Sequence, residues 1–392
     1  MVKCKNILRC KEKSTIMEQV IVLETFYFAG LQEEPMRLKR ITALFVSMIT
    51  AVSLLAGCGG VDKDKTVATL NGEPVKLGIA NFAVRLQQAN ADDFYRQLFG
   101  DTVWTSDMYG SGTTMEESFK EDAITSIQEM YTLQLHMEDY GISVSDEEKA
   151  AITAAAETFM SDNSQDAIDA LGATQEIVEE YLTLTTIQSK MREAIVAEAD
   201  TEVSDEEAKT SSYSYVAFSE SSMTGVVGVD STESVEGTES TEDAAAAVRE
   251  KAEEFAEAIK TESLEDAAEA YGYNVNTATF TQDGEGTDED LFAAIKDLKE
   301  GETTGAVETE NGYFVARIDS ELDEEATEKT RQTLISERQD DFYEETLAGW
   351  KESDEWKLDE GVWKAVSFDN LFTTVEESTE TVNATENATE LQ

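Results

Sequence analysis

LKEGETTGAVETENGYFVARI, residues 298–318, is the stretch on which the fold turns. Asn311-Gly312 sits between two runs of strand character, Gly305–Thr309 and Tyr313–Ile318. Asn-Gly accepts the positive φ angles of a two-residue hairpin turn. Upstream, Asp288–Leu298 reads as helix, Val275–Phe280 as strand, and Leu264–Tyr271 and Ala244–Lys260 as two helices. Farther back, Tyr213, Tyr215 and Ala217 alternate with Ser214, Val216 and Phe218, the period of a strand. The resulting order, βααβαββ, is an α+β domain by pattern. Glu220–Asp243 interrupts it with seven acids, no base and many Ser, Thr and Gly, the composition of a loop insertion.

The flanks read differently. On the carboxyl side, Ile335, Phe342, Leu347 and Trp350 mark a helix over Glu324–Trp350, and Val362–Phe368 reads as a last short strand. Leu371–Gln392, with five acids and no base, is expected to be a disordered acidic tail. On the amino side, TVATLNGEPV (66–75) is strand, Asn71-Gly72 turn and strand. Phe119, Ala123, Ile127, Met130, Leu133 and Met137 then step by three and four over a helix Glu117–Tyr140, with Gly141 as its cap. Val144-Ser-Asp-Glu-Glu148 recurs as Val203-Ser-Asp-Glu-Glu207. Each predicts a capping box, Ser145 with Glu148 and Ser204 with Glu207, at a helix start. Ile177, Tyr181, Leu184, Ile187 and Met191 continue the helical pattern. The expected domains are therefore a mostly helical part at 66–210, an α+β domain at 211–320 with its loop at 220–243, and a returning helix and strand at 321–370.

MRLKRITALFVSMITAVSLLAGCGG begins at Met36. Arg37, Lys39 and Arg40 precede the apolar run Ile41–Leu55, the layout of a signal peptide over 36–57. The run is shorter than the roughly 20 residues a spanning helix needs. Leu55-Ala56-Gly57-Cys58 resembles the bacterial lipobox, which implies acylation of Cys58 and cleavage before it. Two or more buried acyl chains then anchor the protein stably, with 58–65 as a polar tether. Residues 1–35 are expected to be an upstream mis-start, and their Cys4 and Cys10 lack the further ligands a metal site needs.

Composition narrows the function. The chain of 392 residues carries 83 acids against 30 Lys and Arg, with one His, three Cys and two Pro. Residues 58–392 hold 78 acids and 22 bases, a net of −56, and 213–319 alone hold 26 and six. Such a field repels nucleic acid. All three cysteines lie at or before residue 58, so the remainder forms no disulfide framework, and one His excludes multi-histidine metal sites. With 41% apolar residues the chain can still build a core, and its length suggests two domains.

Other constellations carry little. His136 sits one position off the apolar stripe of its helix and reads as a boundary residue. Asp283, Glu285, Asp288, Glu289 and Asp290 surround Gly284 and Gly286 without EF-hand spacing, so they read as a solvated loop and helix-start charge. No G-x-S-x-G elbow, phosphate-cradling glycine loop or marked pair of carboxylates is present. Asn383-Ala-Thr and Asn387-Ala-Thr match glycosylation acceptors, which have no default meaning in a bacterial lipoprotein. No cofactor or metal is expected.

The order of these features resembles the SurA/PrsA group of foldases, in which a parvulin-type peptidyl-prolyl isomerase domain interrupts a helical chaperone domain. The resemblance covers most of 66–368. It rests on Asn71-Gly72-Glu73-Pro74-Val75, on Val203-Ser-Asp-Glu-Glu207, on Leu298-Lys-Glu-Gly-Glu302 with Gly305-Ala-Val307 and Gly312-Tyr313, and on Trp350-Lys351 and Trp363. It implies an extracytoplasmic, membrane-anchored protein that meets unfolded secreted polypeptides. It also implies an apolar pocket that lowers the roughly 18–20 kcal/mol barrier to prolyl rotation. The departures fall on that pocket. Tyr215 stands where the family's first His would be and Phe314 where its second would be. Leu291 replaces an aromatic, Thr287 a Met, and Ala306 the Pro of the gPV run. The expectation is a retained parvulin fold with weak or absent isomerase activity, its degenerate pocket marked by Tyr215, Leu291 and Phe314. The alternatives are an active isomerase and a surface binding lipoprotein without a chaperone role.

Overall fold

The computed structural model describes residues 61–108, 110–219, 241–369 and 371–372. The chain divides into two compact units. Ile195–Glu345 forms one, and the segments before Ile195 and after Glu345 form the other. The boundaries fall inside two long helices, so residues 195–209 and 321–345 cluster with the α+β unit. The expected signal peptide, Cys58, the stretch 1–35 and nearly all of the 220–243 loop lie outside the described residues; Thr241–Asp243 already belong to a helix. Among the described residues, no helix is long and apolar enough to cross a membrane.

The first unit opens with β1 (Thr66–Leu70) and β2 (Glu73–Lys76), paired antiparallel around Asn71 (φ 50°) and Gly72 (φ 90°). Two consecutive left-handed residues are what an Asn-Gly hairpin turn provides. Helix α1 (Leu77–Phe99) follows, then a short 3-10 turn, Val103–Thr105, and α2 (Met115–His136). Next come α3 (Asp146–Asp162), α4 (Gln165–Leu171) and α5 (Gln175–Val196). Both halves of the expected Ser145/Glu148 capping box are formed. Replacing Ser145 with alanine is expected to cost about 1 kcal/mol, read as a lowered thermal midpoint. Helix α2 ends at His136, short of Tyr140. Residues 137–141 form a turn closed by the Gly141 N–H to the Glu138 carbonyl.

From Leu77 to Leu86 every residue of α1 is buried, which marks it as the central helix of its unit. Phe82 is fully buried, edge-on to Phe159 at 5.7 Å and to Tyr181 at 5.4 Å. Four buried polar residues, Asn81, Arg85, Gln88 and Asp92, follow the helical period; Gln88 accepts from Arg85, and the other three clasp backbone. Asn81 Nδ2 donates to the Leu171 carbonyl at 3.0 Å, and Arg85 donates to those of Ala170 and Ser367. Asp92 accepts from Trp104 Nε1 at 3.0 Å and from the Phe372 N–H. Burial lowers the Arg85 guanidinium to about 10 and pushes the Asp92 carboxyl up.

Two expectations fail at the carboxyl end. Phe372 is fully buried in the cluster around Phe82 and Leu171, so the disordered tail cannot begin at Leu371; residues 373–392 lie outside the described set. The last strand is not Val362–Phe368 but β7 (Trp356–Leu358), which pairs antiparallel with β1 to give a sheet of order β2-β1-β7. Asp359 accepts the Val362 N–H at 3.0 Å and starts a single helical turn, α11 (Glu360–Trp363), an N-cap that overrides the alternating pattern.

The second unit holds α6 (Asp205–Ala208), β3 (Thr210–Phe218), α7 (Thr241–Ala258), α8 (Leu264–Tyr271) and β4 (Asn276–Thr281). Helix α9 (Glu289–Ile295), β5 (Val307–Thr309) and β6 (Gly312–Ser320) complete the order βααβαββ, and α10 (Glu324–Ser353) starts within it. Ser204 accepts the Glu207 N–H at 3.2 Å, while the Glu207 carboxylate pairs with Arg338.

The antiparallel sheet has the order β4-β3-β6-β5. One face, with Val216, Phe218 and Val315, packs under Phe255 and Leu264 of α7 and α8. The other, with Tyr213, Ala316 and Ile318, packs under Leu291 and Ile295 of α9. At the β5–β6 turn Gly312 has φ 124°, and a Cβ there would lie 2.3 Å from the Phe218 carbonyl oxygen. Only glycine fits that approach.

Candidate functional site

Tyr215, Leu291 and Phe314 are brought together on the α9 side of the sheet. Tyr215 lies on central strand β3 opposite Ala316, and Phe314 lies on β6 opposite Ala217. Alternation therefore puts both rings on one face, with centroids 5.6 Å apart. Leu291, in the first turn of α9, joins the same cluster from above. Both rings are partly exposed, whereas Leu291 is 3% exposed.

The acidic cluster positions that helix. Asp288 caps α9, accepting from the N–H groups of Asp290 at 3.1 Å and Leu291 at 3.3 Å, so one carboxylate fixes where Leu291 enters the cluster. Asp283 accepts the Thr281 hydroxyl at 2.5 Å, which holds its carboxyl below the usual range. Thr287 immediately precedes the cap. Among the described residues no group of three or more His, Cys, Asp or Glu is placed to hold a metal ion. Ala306 packs with the α7–α8 cluster, on the opposite face from Val307.

Sequence reasoning missed half of the wall. Tyr213 lies 5.6 Å from Tyr215 and 5.8 Å from Phe280, and Phe280 meets Phe292 at 5.9 Å. The available signal was the i, i+2 aromatic pair on β3. Burial foremost pushes the Tyr213 phenol up. The sole histidine, His136, belongs to the first unit, and the cysteines are Cys4, Cys10 and Cys58. Neither imidazole nor thiol is therefore available within residues 195–345. What remains is an aromatic and aliphatic wall, able to hold apolar groups by contact and without a histidine or cysteine for proton transfer.

Among the described residues, clefts also lie elsewhere. One of ≈ 610 Å³ in the first unit lies along β1 and β7, and one of ≈ 460 Å³ in the second runs between β4 and α10. Tyr215, Leu291 and Phe314 line neither; Phe280 lines the second.

Comparison with known proteins bears on this unit. Residues 230–330 match a family model described as "PPIC-type PPIASE domain". The stretch contains Leu291 and Phe314 but begins after Tyr215. No curated protein matches the chain. Among solved structures the chain is similar to the SurA-like chaperones PEB4 and Cj1289 of Campylobacter jejuni, with 11% identity and TM-score 0.26 over 75% of this chain and 98% of the other. It is also similar to the peptidylprolyl isomerase PrsA of Bacillus cereus, with 19% identity and TM-score 0.30 over 67% and 98%. The foldase PrsA of Streptococcus pneumoniae matches with 16% identity and TM-score 0.28 over 63% and 92%. Over residues 230–330 the expected resemblance to a parvulin-type domain is met.

Proposed function

We propose that this chain is a membrane-anchored, extracytoplasmic foldase that holds unfolded secreted or surface polypeptides, and that its parvulin-like unit binds with little or no isomerase chemistry. The observation that carries the reading is the wall of Tyr215 and Phe314 over Leu291, in a unit without histidine. Twisting a prolyl amide in an apolar pocket needs a cavity and polar groups that favour the twisted form. By the resemblance of the sequence, aromatic rings stand where that family has both imidazoles, which supports this reading.

Two measurements test it. Exchange in a proline tetrapeptide, followed by NMR, is expected to stay at its uncatalysed rate, over tens to hundreds of seconds. Aggregation of a proline-free client is expected to be suppressed. Acceleration of exchange that Phe314→Ala abolishes would make the chain an active isomerase instead. Failure to suppress aggregation would leave only surface binding. The acidity of the body supports a preference for basic or apolar segments, so added salt should weaken capture of a cationic client. Anchoring through Cys58 predicts palmitate labelling that Cys58→Ser removes.

A further inference from the structure

His136 closes α2, and its ring lies flat on Trp350 of α10, with centroids 4.3 Å apart and planes 5° from parallel. Nδ1 is 3.1 Å from Asp139 Oδ2, and Nε2 is 3.1 Å from Asp354 Oδ2. A neutral imidazole has one N–H, and its other nitrogen is an acceptor. Two nitrogens that each face a carboxylate oxygen can both be hydrogen-bonded only when both carry protons. The stacked indole favours the same form, since a cation gains from its π face.

Asp354 is the hub of this arrangement. Its side chain is 9% exposed, and its second oxygen accepts from Asn71 Nδ2 at 3.0 Å. Asn71 and Glu355 then exchange two bonds. The Asn71 N–H donates to the Glu355 carbonyl at 2.9 Å, and the Glu355 N–H donates to Asn71 Oδ1 at 2.7 Å. One imidazole thus ties the end of α2 to the end of α10, to the β1–β2 turn and to the residue before β7. The charged groups around the ring are Asp139 from its own turn, Lys351 from α10 and Asp354 immediately after α10. Lys351 is paired with Glu129 of α2 at 3.6 Å, and Asn71 from the hairpin is neutral.

We propose that His136 is a proton-operated latch, which fastens the end of α10 and the start of β7 to α2 and the β1–β2 turn while both ring nitrogens are protonated. Loss of one proton sets a lone pair against a carboxylate and removes one tie. Opening therefore becomes easier once the ring has lost a proton, because only the doubly protonated ring bonds both carboxylates. Release of β7 uncovers the edge of β1 at Ala68–Leu70, a row of backbone groups able to pair with another strand. Outside the cytoplasm ambient pH varies more freely; that consequence alone rests on the location proposed above.

The test uses the full chain. With one histidine in the sequence, the ring titration is a single NMR signal, followed beside the exchange of the Glu355 amide. After correction for intrinsic base catalysis, Glu355 exchange is expected to accelerate several-fold as the His136 signal titrates. Asp139→Asn is the deciding variant. Asp139 is largely exposed, so the fold survives its replacement, and the new amide can donate to a neutral Nδ1 while Nε2–H still reaches Asp354. Protection should then persist across the whole pH range. Asp354→Asn should instead weaken protection even at acid pH. The latch is overturned if Glu355 protection ignores the titration, or if Asp139→Asn leaves the pH dependence intact.

Discussion

Truncating Phe82 to alanine is expected to remove about 3–5 kcal/mol of unfolding free energy, a large share of the roughly 5–15 kcal/mol a domain possesses. The ring is fully buried and makes edge contacts to Phe159 and Tyr181, with Leu86, Ile152, Leu171 and Val178 in the same cluster. The cost depends on whether the walls can collapse into the void. Here they are pinned: Asn81 holds the Leu171 carbonyl and Arg85 holds that of Ala170, fixing the end of α4 against α1. The cavity therefore persists. All four tryptophans, Trp104, Trp350, Trp356 and Trp363, belong to the first unit, so tryptophan fluorescence in urea reports on it alone. The midpoint should fall with an unchanged slope. Phe94→Ala, at a position 59% exposed, should stay within about 0.5 kcal/mol of the parent. Equal losses for the two variants would refute the pinned-core argument.

What could be read in advance follows from how each residue signals. Periodic elements were legible. The βααβαββ order, the Asn71-Gly72 turn and the Ser145 cap each rest on local backbone chemistry that tertiary packing did not override; the second hairpin instead turns at Glu310-Asn311, one residue early, with Gly312 already paired to Thr309. Elements whose pairing partner lies far along the chain were not. Trp356-Lys357-Leu358 is too short for a period and becomes a strand only because β1 lies beside it. Val362, Val366 and Phe368 alternate like a strand, yet the Asp359 cap turns the chain into a helical turn first. The polar stripe Asn81, Arg85, Gln88 and Asp92 has helical spacing, which by itself says nothing of its burial. It is buried because Asn81, Arg85 and Asp92 find backbone partners and Gln88 accepts from Arg85, none of which a sequence pattern announces. Tyr215, Leu291 and Phe314 could be assembled because a motif order fixed their strands and helix. Phe280 could not, since nothing in its immediate sequence says which face it shares, whereas the alternation of Tyr213 with Tyr215 on β3 is a signal that places Tyr213 on the wall.

That assembled site supports the second prediction, which separates its three residues by role. Leu291→Ala is expected to destabilise the α+β unit by about 2–5 kcal/mol, and Leu291→Met by less than about 1.5 kcal/mol. At 3% exposure, Leu291 is a wedge between α9 and the sheet, packed with Phe280, Ile295 and Ile318 and fixed by the Asp288 cap. A residue so enclosed cannot touch a bound chain unless α9 moves. Tyr215 and Phe314 are partly open on the same face, so they present the surface a polypeptide would meet. The second unit contains no tryptophan, so its transition is followed by near-ultraviolet tyrosine signals while tryptophan fluorescence stays unchanged. Under conditions where Leu291→Ala remains folded, its capture of an unfolded client should match that of the parent. Phe314→Ala should keep more of its stability than Leu291→Ala and lose capture. A folded, fully stable Leu291→Ala protein that no longer captures client would reverse the assignment, making Leu291 a contact residue and reopening the case for an accessible prolyl pocket beneath the aromatic pair.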